Sequence, residues 1–141
     1  MIENTRRYGF GTTVNLPYAR AVERTKEELA HEGFGVLSEI DVASTLKRKL
    51  DVNFRPYVIL GACNPPLAHQ ALTEEPEIGL LLPCNVVVYA AEEDGRSVVM
   101  AMDPVEALSL SANEAIRPIA VEVRTRLRRA LERVEQEPDG N

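Results

Sequence analysis

Two short apolar runs, CNVVVY at residues 84–89 and SVVMAM at residues 97–102, stand on either side of Glu92-Glu93-Asp94-Gly95-Arg96. β-Branched residues in runs of this length, broken by Asp-Gly, are the pattern of two antiparallel strands joined by a hairpin. A pair of this kind argues against a wholly parallel sheet. The rest of the chain must then supply more strands and whatever covers them.

Residues 8–15 (YGFGTTVN) read as a first strand. Gly9-Phe10-Gly11 within it permits a twist or a close approach. Pro17 suits the opening turn of a helix with Tyr18, Val22, Thr25 and Leu29 inside and Arg24, Lys26, Glu27 and Glu28 outside. Gly33 is its stop. Residues 34–40 (FGVLSEI) read as the second strand. Asp41 is the N-cap of a short basic helix over 42–50, whose last-turn Lys47, Arg48 and Lys49 complement the helix dipole.

Residues 57–63 (YVILGAC) are almost wholly apolar and belong inside the sheet. Asn64 caps the next helix, with Pro65 at its first position. Residues 77–82 fit a buried turn, a short helix or an extended approach to the next strand. Asp103-Pro104-Val105-Glu106 has the cap, proline and acid of a helix start. Ile116, Ile119, Ala120, Val123, Leu127, Leu131 and Val134 form one apolar stripe at helical spacing. Its outer faces mix Arg124, Arg126, Arg128, Arg129 and Arg133 with Glu122, Glu132 and Glu135, a solvated, salt-bridged pattern.

The order β-α-β-(α)-β-α-β-β-α-α predicts an α+β fold. We expect a single domain over 1–141, with a mainly antiparallel, four- to five-stranded sheet and helices packed on one face. The ordered core should run from about 6 to 135, leaving 136–141 as a frayed tail.

The 141 residues suffice for a core without staples. No apolar run approaches the roughly 20 residues that span a bilayer, and the first residues turn polar too soon for a secretory signal. Two cysteines are no disulfide framework, which points to a reducing cytoplasm. A net charge of −6 opposes nucleic-acid binding, which depends on phosphate neutralisation. Phosphate-loop, dinucleotide and nucleophile-elbow motifs are absent from the sequence.

The candidate site is the segment 61–88, which holds the only cysteines, Cys63 and Cys84, each followed by an asparagine and flanked by proline. A thiol next to a helix start can have a lowered pKa. Cys63 as attacking thiolate and Cys84 as resolving sulfur would make a redox pair. With His69 as third ligand, Cys63 and Cys84 would instead suit a soft metal, Cu(I) or Zn(II). Equally, both cysteines can be small buried hydrophobes. The Asn64 and Asn85 amides could orient a ligand, and Glu77 is the acid nearest the cysteine pair. His31 suits a dipole-complementing role at a helix end, and Met100 and Met102 suit core filling. The first expectation is therefore a non-catalytic ligand-binding or accessory module around Cys63, Asn64, His69, Glu77, Cys84 and Asn85. No reaction, cofactor or substrate is named by these residues.

Cys63-Asn64-Pro65-Pro66 and the block from Glu77-Ile78-Gly79 through Pro83-Cys84-Asn85 to Val88 resemble the domain-of-unknown-function 302 family. The likeness extends from about Tyr8 to Val134 and takes in Gly33-Phe34-Gly35, Phe54-Arg55-Pro56-Tyr57 and Asp103-Pro104. The resemblance implies a single α+β domain of TATA-binding-protein-like shape and a homodimer. It transfers no activity and no catalytic residue, since fold does not imply function.

Overall fold

A computed structural model describes residues 1–136. Six strands form one antiparallel sheet: β1 (Glu3–Arg6), β2 (Gly9–Val14), β3 (Gly35–Asp41), β4 (Tyr57–Cys63), β5 (Cys84–Ala90) and β6 (Ser97–Met102). Their spatial order is β1-β2-β6-β5-β4-β3, with every neighbour antiparallel. The expected four to five strands are thus corrected to six. The added strand, β1, is a four-residue polar edge (ENTR) with every residue exposed. A polar, exposed edge strand carries no period-2 apolar signal. Of the expected tail, only Gln136 lies within the described residues, and it caps the last helix.

The helices are α1 (Tyr18–His31), α2 (Val42–Leu50), α3 (Pro65–Glu74), α4 (Pro104–Ala107) and α5 (Ile116–Glu135). A 3-10 helix over Pro76–Leu81 occupies the segment that allowed three readings. Three caps form as the sequence predicts: the Asp41 carboxylate accepts from Ser44 N–H at 2.9 Å, Asn64 Oδ1 accepts from Leu67 N–H at 3.4 Å, and the Asp103 carboxylate accepts from Val105 N–H at 2.9 Å. At the end of α1, Gly33 takes φ +86° and Phe34 N–H reaches back to the Leu29 carbonyl at 2.9 Å. This is a left-handed stop that favours glycine.

α1 and α5 pack together over the face formed by β2, β5 and β6. All seven residues of the α5 stripe are buried. They meet Phe10, Leu60, Val86, Val88 and Val99 from the inward positions of the strands. In α1 the inner face is Ala21, Thr25, Glu28 and Leu29, so Glu28 is a correction to the expected outer set. Its carboxylate is paired with Arg24 and with His31 Nδ1, the latter at 2.9 Å. His31 therefore serves a buried carboxylate.

Glu32, also buried, ties the two long helices. Its Oε1 accepts from Arg129 Nη2 at 2.8 Å and its Oε2 from Arg133 Nη1 at 2.5 Å. Burial alone would push this carboxyl up, but the hydrogen bonds and charges of the two arginines outweigh it and hold it below the usual range.

Among the described residues no helix lies over the centre of the opposite face of the sheet. Ile59 stands beside Val87, Val87 beside Met100 and Tyr57 beside Tyr89, all half-buried. Met100 and Met102 take the same strand parity; Met100 lies on this open face, while Met102 is half-buried and packs against the core. Both faces of β4, β5 and β6 are apolar, so their composition alone does not say which side the helices take.

Candidate functional site

Strand parity decides where the two cysteines go. Cys84 is paired with Ala62, and Cys63, one residue further along β4, is paired with Gly35 of β3. Successive side chains on a strand alternate faces. Cys84 therefore shares the helix-covered side with Ala62 and is buried, while Cys63 occupies the alternate pleat position and is half-buried. Both thiols are free.

Burial raises the pKa of both thiols. For Cys63 it is the sole cause; for Cys84 burial, followed by the neighbouring Cys63, pushes the value up to about 12. The lowered thiolate pKa expected at the start of α3 does not arise, because desolvation of the charged form dominates there. The redox-pair expectation gains no support: the two cysteines take alternate pleat positions, and burial raises both thiols, which disfavours an attacking thiolate.

Between the ends of β4 and β5 and the helices lies a cavity of about 280 Å³. Ala62 and Cys84 form its floor with Cys63 beside them at the strand end, Leu67 and Ala71 of α3 one wall, and Ile119 and Val123 of α5 another. Phe34, Leu37 and Leu82 complete it. The space exists because the facing residues are small: Ala62, Ala68, Ala71, Gly79 and the two cysteines do not fill the gap that their backbones leave. Protein interiors otherwise pack as densely as organic crystals.

Asn64 is the one amide in the lining, and much of its hydrogen-bonding capacity is already used. Its Oδ1 caps α3, and its Nδ2 donates to the Glu32 carbonyl at 3.3 Å. It joins the start of α3 to the end of α1, a structural tie at the edge of the cavity.

Of the six expected site residues, Cys63, Asn64 and Cys84 line this cavity and the other three do not. His69 is exposed in a separate shallow groove with Thr73 and Pro118. Glu77 is exposed on the 3-10 helix. Asn85 alternates with Cys84 and so falls on the open face, opposite Gly61. The Cys63, Cys84 and His69 metal set is therefore not assembled. Among the described residues no group of three or more His, Cys, Asp and Glu side chains is placed to hold a metal ion.

The apolar lining escaped the sequence reading, in which Ile119 and Val123 are ordinary members of the packing stripe of α5. A run of small side chains on α3 was the only available trace of a void.

A family model described as domain of unknown function DUF302 matches residues 10–134. The crystal structure of an uncharacterized conserved DUF302 protein from Bacillus stearothermophilus is similar, with a TM-score of 0.83 and 32% identity. The alignment covers 92% of this chain and 99% of that one. No curated protein matches the chain.

Proposed function

The chain belongs to the DUF302 family, a family of unknown function, and from that premise we propose a non-catalytic ligand-binding or accessory domain. Its ligand occupies the apolar cavity at the Cys63 and Cys84 end of the sheet. The cavity itself carries this reading: a concave, mostly apolar recess with a single amide at its edge is the usual form of a small-molecule site. The two thiols supply soft, uncharged wall rather than chemistry. Their free state fits the reducing cytoplasm that the cysteine count suggests.

Assembly as a homodimer belongs to the same proposal. The open face of the sheet, centred on Ile59, Val87 and Met100, supports it. Six strands spaced about 4.8 Å apart and about 20 Å long present roughly 600 Å². Two such faces together reach about 1,200 Å², the lower end of a stable interface.

The test of the cavity is thermal unfolding with and without benzene, an uncharged probe small enough to enter. A ligand that binds only the folded chain raises Tm. We expect a rise of a few degrees in the wild type. Ala68→Phe, which fills the void, should raise the baseline Tm and abolish the shift. A benzene shift that survives Ala68→Phe would place binding elsewhere and end the proposal.

A further inference from the structure

Residues 56–95 contain no lysine and no arginine. This stretch builds the floor of the cavity through β4 and β5 and one wall through α3 and the 3-10 helix. Its carboxylates next to the lining residues Leu72 and Gly79 are Glu74, Glu75 and Glu77. Glu74 and Glu77 are exposed, and Glu75 accepts from Ser111 Oγ at 2.6 Å.

Two cations of the neighbouring elements are already paired. Arg126, close to Gly33, donates through Nε to Glu122 at 2.8 Å and through Nη1 to the Glu32 carbonyl at 3.5 Å. Lys26 is paired with Glu39 at 2.9 Å. Among the described residues no charged side chain lines the cavity at all.

The geometry points to an uncharged, hydrocarbon-rich ligand of about ten to twelve carbons, and to discrimination against anionic amphiphiles. The size follows from comparison with a dry cavity of about 150 Å³ that takes benzene, six carbons; this cavity is nearly twice as large. Discrimination follows from two separate effects. An anion drawn inside would lose its water and find no cationic partner. An anionic head left outside would stand against a segment that carries Glu74, Glu75 and Glu77 and neither lysine nor arginine, and like charges repel. An uncharged head meets neither penalty. Leu37 and Leu72, both exposed and both part of the lining, extend the apolar surface to the rim, so a chain enters without crossing a polar barrier.

This inference rests on the cavity being a ligand site, and the experiment separates the two. Decan-1-ol and decanoate have equal chains and differ in charge at about pH 8. Titration calorimetry of the full chain with each, at low salt, is expected to give at least roughly tenfold tighter binding of the alcohol. Ala68→Phe should abolish that binding. Decanoate binding as tightly as decan-1-ol, and lost in Ala68→Phe, would overturn the ligand class while the cavity reading stood. Failure of decan-1-ol, decanoate and benzene alike would overturn the class together with the cavity reading. Alcohol binding unchanged in Ala68→Phe would do the same.

Discussion

Cys84 stands directly opposite Ala62 across β4 and β5, which turns it to the helix-covered side, while Cys63 takes the alternate position at the end of β4. Both thiols are held above the ordinary thiol range by burial. We expect Ellman's reagent at about pH 8 to react slowly with Cys63 and more slowly still with Cys84, both becoming fast in denaturant. Mild oxidation should leave the monomer without an internal disulfide. An intramolecular bridge formed in the native state, seen by mass spectrometry, would contradict the strand placement.

The protonated Cys84 thiol also makes stability fall with alkali. The folded chain keeps this proton up to about pH 12, whereas an unfolded chain releases it around 9.0. Over that window the unfolded state binds fewer protons, so stability declines as pH rises, by at most about 1.4 kcal/mol per pH unit. Cys84→Ala should unfold more easily at neutral pH, by about 1 kcal/mol, and lose stability less steeply from pH 9 upward. Urea denaturation of both proteins at three alkaline pH values measures this. Parallel decline of the two would show that Cys84 contributes nothing.

Acid should act through Glu32. Its carboxyl is held low by Arg129 and Arg133, so its contribution is complete above the ordinary value of 4.5 and is lost as pH falls through the lowered one. Glu32→Gln should cost about 1–2 kcal/mol near neutral pH, discounted because both arginines are about half exposed. As pH falls through that lowered value, wild type and variant should converge. A gap that stays constant from about pH 7 down to the acid end of the folded range would assign the loss to shape rather than charge.

Gly11 is required by contact, not by conformation. A Cβ there would come within 2.1 Å of the Val99 carbonyl oxygen and 2.5 Å of Met100 Sδ. The nearer atom is backbone, which cannot rotate away. Gly11→Ala should therefore cost at least about 3 kcal/mol or prevent folding. Gly35→Ala is the control, because nothing lies within 4 Å of its added carbon. Circular dichroism melting curves of the two variants should differ sharply.

Sedimentation velocity tests the open sheet face. The 15.6 kDa chain should run at twice its mass, and Val87→Arg should return it to one chain without unfolding it. Arginine at a half-buried position on an uncovered face is tolerated by a monomer and not by a packed interface. A wild type that remains monomeric at high concentration would remove the dimer from the proposal.

Much of the local structure was legible because its causes are local. Asp41 and Asn64 cap their helices where short polar side chains precede the runs they start. The α5 stripe is buried at every position because a period near 3.6 leaves only one face for the core. Polar edge strand β1 left no such trace, and neither did the burial of Glu28 and Glu32, whose partners Arg129 and Arg133 lie a hundred residues or so from Glu32. The candidate site divided on the same line. Cys63, Asn64 and Cys84 come together because adjacent strands end there, whereas Asn85 leaves by pleat parity and His69 by its position on the outer side of α3.

By itself the sequence determined the element types, most of their ends and the family, since these depend on side-chain spacing, caps and motifs read within a few residues. Tertiary structure alone decided which face of three largely apolar strands the helices cover, which cysteine is turned inward, and that small residues on α3 leave a void beside them. Register and inter-element distance set those outcomes. A shift of one residue in pairing exchanges the two faces of a strand, and nothing in an apolar run of this kind records which register the rest of the chain will impose.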